Sequence, residues 1–517
     1  MDRKWWTLTA VCTGVFMLLL DVTIVNVALP SIGRAFHASL SDLQWVIDAY
    51  ALTLAALLLT AGSIADLAGR RIVFAIGIVI FTIGSALCGA AQGTLFLSLS
   101  RALQGVGGAI MFATALALLA QAFAPRERGV AFGVFGAITG VAIAVGPVLG
   151  GVITSGLTWR WIFFVNVPIG VFALIVTLMR VDESKLPNAP RPDWLGFITF
   201  SLALAGLVFG LIRSQAEGWG SATVLGSLVA AGVLLVVFVL LEMRVRDPMF
   251  DLGLLHVPTF NGGLVAAWSI SAALFAMLTY LVIYIQSLMG YSAVATGVRF
   301  LPLTGAVFLV AGIAGRLTTR VQIRYLISTG FAALTVGLLL MRGVTPSDTW
   351  THFLPGFIVS GIGAGLVNVP LASTAVGVVP PERAGMASGI NATLRQVGLA
   401  TGVAAFGAIL TTRIRSEVVS HLSSGPLAGQ ARAIAHSISA GSFSQVIGSA
   451  PPQTRGLILN TARASYGNAL NELLLIGAIV AFAAMVITFL TIRQRDFHVV
   501  PEDSRTAPAE QSAEVAA

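Results

Sequence analysis

The sequence predicts an all-α integral membrane protein, and three observations carry that expectation. Only 10% of the 517 residues are Asp, Glu, Lys or Arg, against 56% hydrophobic, and the mean hydropathy is +0.91. Soluble domains carry about 25% charged residues, so a water-soluble enzyme is excluded. Apolar runs of roughly 18 to 26 residues recur along the chain, each long enough to cross ~30 Å of hydrocarbon as a helix. Strands do not fit, because these runs are two to three times the length of a tilted membrane strand, about 10 residues. The third observation is the uneven spread of arginines among the loops, treated below.

About fourteen runs are found, and they are read as transmembrane helices because hydrocarbon leaves no other way to pair the backbone. They cover 8–29, 44–64, 72–91, 95–119, 130–154, 162–179, 195–212, 223–241, 262–285, 298–315, 325–341, 353–375, 386–411 and 469–492. The first follows Arg3 and Lys4 but is too long for a signal peptide, contains Asp21 and lacks a small-residue cleavage site. With the N terminus inside, the inner segments carry 18 basic residues and the short outer loops 4. That asymmetry predicts a multi-pass protein of the inner (cytoplasmic) membrane with both termini cytoplasmic. Eight of the nine tryptophans sit near run ends, where an interfacial belt would place them.

The same sequence excludes several partners. The net charge of +8 comes from singly spaced residues with no basic face, so nucleic acid is not expected. Cys12 and Cys88 lie in apolar runs and read as packing residues. There is no Walker-type phosphate cradle, hence no ATP, and the six histidines lack metal-ligand spacing, so neither a cofactor nor a metal is expected.

An internal repeat organises the chain. Pro125-Arg-Glu-Arg128 matches Pro380-Pro-Glu-Arg383, Gly105-Val-Gly107 matches Gly361-Ile-Gly363, and the stretch 62–71 matches 312–320. Three coincidences in order predict two six-helix halves with two extra helices between them. The expected divisions are an N-terminal half over 1–180, a linker with two additional helices over 181–259, and a C-terminal half over 260–495. The last includes a long outer loop, 412–468, with at most short surface helices, and a disordered cytoplasmic tail follows over 496–517. Rocking one duplicated half on the other is how many transporters expose a midplane site to either side.

Four stretches resemble signature motifs of the major facilitator superfamily, in its fourteen-helix drug:proton antiporter branch. They are Leu20 to Pro30 around Asp21 and Asn26, the loop Gly62 to Arg71, the helix Arg101 to Gly108, and the helix Gly140 to Gly151 with Gly146, Pro147 and Gly150. Trp159 to Gly170 and Leu301-Pro302-Leu303 support the resemblance, which covers nearly the whole chain. The second-half counterpart of the Asp66 loop, Gly315 to Arg320, lacks the acid.

Depth groups the intramembrane charges. At 1.5 Å per residue, Asp21 lies about 20 Å from the cytoplasmic end of its helix, Asp48 about 6 Å below the outer end of the second, and Arg101 about 9 Å below the outer end of the fourth. All three share one layer, and since a charge facing lipid costs at least a few kcal/mol, they should face inward and one another. Two readings stand: a static salt bridge, or a site where one acid titrates and carries a coupled proton. The resemblance implies the second for Asp21 and Arg101, and Asp48 joins them by depth.

The resemblance also implies a cytoplasmic gate at Gly62, Asp66, Gly69, Arg70 and Arg71. It makes the helix with Gly140, Gly146, Pro147, Gly150 and Gly151 a mark of export rather than uptake, while close packing is the alternative for such small residues. Asn26, Gln104, Asn166, Asn368, Asn391, Arg395 and Gln396 are candidate cavity-lining or helix-bridging residues. Arg395 stands out, because a lone midplane charge needs an anionic partner or substrate. Phe275, Met277, Tyr280 and Tyr284 would suit an apolar pocket or the core. The expected function is proton-coupled efflux of amphipathic drugs or toxic compounds by a monomer, hence antibiotic resistance, with protons, substrate and lipid as partners. A dedicated exporter of one endogenous metabolite is the alternative, followed by a non-transporting receptor or scaffold.

Overall fold

The computed structural model describes residues 2–123, 127–184, 193–245, 248, 250–318, 320–379, 384–423, 427–439 and 451–497. Its long helices are α1 Arg3–Phe36, α2 Leu40–Ala68, α3 Arg70–Gly89, α4 Thr94–Ala122, α5 Arg128–Gly156, α6 Asn166–Arg180, α7 Trp194–Glu217 and α8 Ala222–Glu242. They continue with α9 Pro258–Leu288, α10 Ala293–Leu317, α11 Ile323–Leu340, α12 Leu354–Val376, α13 Ala384–Leu422 and α14 Pro452–Thr491. Among the described residues, twelve helices are long and apolar enough to cross a membrane. α2 and α5, outside that set, are 29 residues each.

Local chemistry sets several boundaries. α1 ends where His37 takes a left-handed conformation (φ 51°), and α2 starts with a capping box. There Ser39 Oγ accepts from the Asp42 N–H at 3.1 Å and the Asp42 carboxylate accepts from the Ser39 N–H at 2.9 Å. Asp193, Ser221 and Ser292 cap α7, α8 and α10 in the same way from the N-cap side. α1 therefore runs from a near face, which bears Arg3, to a far face at the α1–α2 turn, and later helices alternate.

Glycines fix the closest helix crossings. A Cβ on Gly105 of α4 would lie 2.5 Å from the Tyr50 carbonyl oxygen in α2, and one on Gly107 would lie 2.7 Å from that of Gly77 in α3. The pair recurs in α12: Gly361 presses on the Leu303 carbonyl of α10, and a Cβ on Gly363 would lie 2.5 Å from the Gly330 carbonyl of α11. Residues two apart point about 200° around a helix, so each glycine pair seats one helix between two others. The spacing is 256 residues for the glycines and 253 for Tyr50 and Leu303 or Gly77 and Gly330. α3 and α11 also start 253 residues apart, which pairs Gly62 with Gly315 and corrects the sequence match to Gly312 by three residues.

The apolar interior is divided unevenly along the membrane normal. At the far face a single cluster joins Ile24, Ala28 and Ile32 of α1 and Val46 of α2 to Ala273 and Tyr280 of α9, Phe331 of α11 and Leu410 of α13. Towards the near face that cluster is continued only by residues of the second half, Ile327 of α11, Leu371 of α12 and Ile492 just past α14, and two distinct clusters appear beside it. One is built from Leu8, Phe74, Met111 and Val176, the other from Leu264, Val379 and Ile390 with Phe238 of α8. α7 packs Leu204, Val208 and Ile212 over the line where Ala51 and Ala55 of α2 meet Ala400 and Ala404 of α13.

The far-face segment departs from expectation. Instead of a loop with at most short helices over 412–468, α13 continues to Leu422, a helix covers Ala431–Ser439, and α14 begins at Pro452 and runs for 40 residues. Ile414, Val418, Leu422, Ile434, Ile438, Ile458 and Tyr466 extend the core outward along these helices. Their polar outer faces dilute the hydropathy that marks a span, while the apolar spacing of three and four is that of a helix. The chain end is also less free than expected at its start: the Asp496 carboxylate accepts from Thr259 Oγ1 at 2.7 Å. Residues 498–517, 125–126 and 380–383 lie outside the described residues, and with them part of the repeated loop.

Candidate functional site

Asp21 and Arg101 form a fully buried ion pair, 0% and 2% exposed. Arg101 Nη1 donates to Asp21 Oδ2 and, at 2.8 Å, to Gln104 Oε1, while its Nε donates to the Val46 carbonyl at 3.1 Å. The other Asp21 oxygen accepts from Gln104 Nε2 at 2.8 Å and Asn166 Nδ2 at 3.2 Å. Ser85 Oγ accepts from both amides, at 3.2 and 2.9 Å, and donates to the Phe163 carbonyl at 3.0 Å. Beneath the guanidinium lies the Tyr50 ring, 4.2 Å from centroid to Cζ. A buried ion pair holds only where its remaining donors and acceptors are satisfied, and here four helices supply the partners. Gln104 and Asn166, both fully buried, thus form part of the pair's wall in this structure, in keeping with the helix-bridging alternative. Ser85 and Tyr50 escaped the sequence reading because one hydroxyl in an apolar run carries no spacing signal.

Asp48 does not join this pair. It is fully buried, and neither carboxylate oxygen has a hydrogen-bond partner among the described residues. Depth placed it correctly, but depth says nothing about azimuth. Tyr50, two residues on, faces Arg101, so Asp48 points about 200° away, on the side of Gln44 one turn earlier. Gln44 Nε2 donates to Tyr280 Oη at 2.8 Å and to the Val403 carbonyl at 3.2 Å, and Tyr280 Oη donates to that same carbonyl. This knot ties α2 to α9 and α13 within the far-face cluster. Tyr280 therefore closes the far face rather than lining an apolar pocket, and Phe275, Met277 and Tyr284 pack in the same core, Tyr284 stacked on Tyr466.

The remaining candidates divide by partner. Asn26 of α1 accepts from Thr279 Oγ1 of α9 at 3.4 Å, and Asn391 of α13 donates to the Gly263 carbonyl of α9 at 3.4 Å, so both bridge helices. Arg395 lies half-buried and donates from Nη2 to Asn368 Oδ1 of α12 at 2.8 Å. The sequence called for an anionic partner or an anionic substrate; among the described residues the side-chain partner is a neutral amide. Gln396 Oε1 is buried without a partner among the described residues.

The near-face turn between α2 and α3 has a specific shape. Gly69 sits at φ +118°, where a side chain is strained, and a Cβ there would lie 2.8 Å from the Glu183 carboxyl carbon. That carboxylate accepts from the backbone N–H of Arg71 at 3.0 Å and Ile72 at 3.2 Å, and the Ser184 carbonyl accepts from Arg70 N at 2.9 Å. Glu183, missed in the sequence, thus satisfies the open N terminus of α3 from 112 residues away. A Cβ on Gly62 would meet open space. The Asp66 side chain and the surroundings of Gly140 lie outside the described part of the structure.

α5 uses its other small residues on two sides. Gly146 faces Thr23 and Gly150 the Ile24 carbonyl in α1, while Gly151 faces the Ala293 carbonyl at the start of α10. Gly297 of α10 returns the contact against Pro147. Close packing of α5 is therefore observed, against α1 and across to α10.

Known proteins resemble this chain in sequence and in shape. The sequence pattern of the Major Facilitator Superfamily matches residues 11–403. The puromycin resistance protein pur8 of Streptomyces alboniger is 38% identical over 426 residues, 81% of this chain and 84% of that one. The multidrug resistance protein Stp of Mycobacterium tuberculosis is 36% identical over 417 residues, 80% and 78% of the two chains. The tetracenomycin C resistance and export protein of Streptomyces glaucescens is 33% identical over 413 residues, 80% and 77%. The crystal structure of a bacterial homolog of the human lysosomal transporter Spinster, inward-facing and unoccupied, superposes with a TM-score of 0.61 at 14% identity, covering 96% of this chain and 99% of that one. At that identity the likeness concerns the fold alone. The chain belongs to the major facilitator superfamily, and it is a multi-pass membrane transporter of small molecules rather than an enzyme.

Proposed function

We propose that this transporter exports amphipathic organic compounds across the cytoplasmic membrane in exchange for protons. Relatives named for puromycin resistance, multidrug resistance and tetracenomycin C export support the direction and the substrate range. The working unit is a monomer with fourteen spans: a six-helix half over 1–180, α7 and α8 within a 181–259 linker, and a second half over 260–495. With 18 inner against 4 outer basic residues, the near face is cytoplasmic. The packed far ends and divided near ends then correspond to an inward-open state.

The observation that carries the coupling is the sealed Asp21–Arg101 pair. In this state the Asp21 carboxylate faces one cation, Arg101, and two amide donors, Gln104 and Asn166. Any rearrangement that withdraws Arg101 leaves a buried charge that a proton from outside neutralises at far lower cost. Proton arrival and helix movement are then two descriptions of one switch, and the Gly62 to Arg71 loop, with Asp66 and Arg70, latches the opposite state. Inverted vesicles with an imposed pH gradient and a chemically broad compound panel test the reading: gradient-dependent accumulation is expected. Accumulation that ignores the gradient sinks the coupling, and no accumulation of any compound sinks the export. A second reading, export of one endogenous metabolite, is favoured by relatives named for single compounds, tetracenomycin C and actinorhodin. Transport of a single member of the panel would support it.

A further inference from the structure

We infer that Arg395 and Asn368 form an anion seat, so that the compounds this transporter handles best carry a carboxylate or an equivalent anionic group. The inference rests on the export reading for its biological sense but not for its geometry. Arg395 lies about 16 Å from the start of α13, roughly halfway across, where an uncompensated cation is costly and is kept for a reason. Its side chain makes one hydrogen bond, to Asn368 Oδ1 at 2.8 Å, and no ion pair among the described residues. A guanidinium has five N–H donors, so most of its capacity is unused. The amide orientation is dictated by the same bond, because the carbonyl must face the guanidinium, and this leaves Asn368 Nδ2, a second donor, buried without a partner among the described residues. Two neighbouring groups thus present donors only. What fits between donors is an acceptor, and beside a fixed positive charge the favoured acceptor is an anion.

The surroundings agree. The Asp48 carboxyl group also has no hydrogen-bond partner among the described residues, but it is sealed beside Tyr280 towards the far face and does not reach Arg395. Arg395 is only half-buried, so of the two it is the one a solute can meet. Next to it, Thr393 Oγ1 bonds the Ala55 carbonyl of α2 at 3.3 Å, placing this turn of α13 at the junction with α2. A bridge between α12 and α13 alone would be served by a neutral side chain at lower cost.

The test is binding of three dansyl-alkyl probes to the full-length protein in detergent: dansyl-aminoundecanoic acid, its methyl ester, and dansyl-cadaverine, which bears an amine. The acid should bind more tightly than the ester and the amine. Arg395→Gln should weaken the acid by about ten- to a hundredfold and leave the ester within about twofold. Arg395→Lys should recover part of the loss, keeping the charge without the planar fork. Asn368→Asp supplies an internal anion, so it should abolish the preference for the acid, and it carries the test if Arg395→Gln does not fold. Equal losses for all three probes in Arg395→Gln, an unchanged acid preference in Asn368→Asp, or tighter amine binding in the parent protein each overturn the seat. Binding is read without a gradient: acid-selective binding without gradient-driven transport counts against export alone, and export without acid selectivity counts against the seat alone.

Discussion

The segment from α1 to α6 and the segment from α9 to α14 use the same crossings for different interiors. In both, a glycine pair seats one helix between two neighbours, Gly105 and Gly107 in α4, Gly361 and Gly363 in α12. Four residues before the first glycine, α4 carries Arg101 and α12 carries Phe357. Arg101 is paired with Asp21 inside a hydrogen-bonded shell; Phe357 is fully buried among rings, 5.0 Å from Phe300 and 5.9 Å from Phe353. The scaffold therefore does not require an ion pair at this crossing. What one copy fills with apolar packing, the other fills with a costly polar network, and cost without structural need is the signature of function.

The largest effect should come from separating stability and coupling at this point. Asp21→Asn should abolish gradient-driven accumulation in inverted vesicles, because an amide cannot exchange a proton. It should also destabilise the protein, by about 3 to 5 kcal/mol, because Arg101 stays buried without its counter-charge. The double variant Asp21→Leu with Arg101→Met imitates the second copy, so it should regain much of the thermal stability while coupling stays lost. Full transport in either variant would remove the pair from the mechanism. A double variant less stable than Asp21→Asn would show that the two copies are not interchangeable scaffolds.

The glycine crossings should respond alike in both copies. Gly107→Ala places a Cβ about 2.7 Å from the Gly77 carbonyl, and Gly363→Ala, its counterpart, places one about 2.5 Å from the Gly330 carbonyl. Backbone cannot yield as a side chain can, so each should cost about 1 to 3 kcal/mol, read as a lowered melting temperature in detergent. A loss in one copy and none in the other would mean that the duplication is only apparent.

These comparisons also explain what the sequence made legible. Hydropathy exposes spans because hydrocarbon forces every backbone group into a helix, and Gly-x-Gly pairs expose the repeat because no other residue fits two carbonyls so close. The Asp21–Arg101 pair was readable from depth, since both charges had to find a partner within one layer. Asp48 shared the layer but not the direction: three residues of α2, Gln44, Asp48 and Tyr50, decide the matter by rotation, and only coordinates give the rotation of a helix that is apolar all round. The Arg395–Asn368 contact joins two helices whose register nothing in the sequence sets. Glu183 is farther still from prediction, a polar residue just past α6 whose role depends on where the start of α3 happens to lie. The helical far-face segment failed for the opposite reason, its apolar spacing being present at Ile434, Ala435 and Ile438 but diluted by its polar outer face.

The smallest effect distinguishes the two near-face turns. α3 starts after Gly69 in a left-handed conformation and takes its cap from Glu183, whereas α11 starts after Gln322 at φ −59°, which any residue adopts. Glu183→Ala removes acceptors from two N–H groups at an open helix end, a loss worth about 1 kcal/mol, since water restores part of what the carboxylate supplied. Hydrogen exchange at Arg71 and Ile72 should rise in that variant while the rest of α3 stays protected. Gly62→Ala is the control at the other side of the turn: its Cβ meets open space, so melting and exchange should not move. If Gly62→Ala nevertheless slows transport with melting unchanged, the space beside Gly62 is used in the state not seen here, and the first-copy turn is the moving one. If both variants leave transport as it was, the turn is a passive cap, and the asymmetry between the two copies reduces to the buried pair.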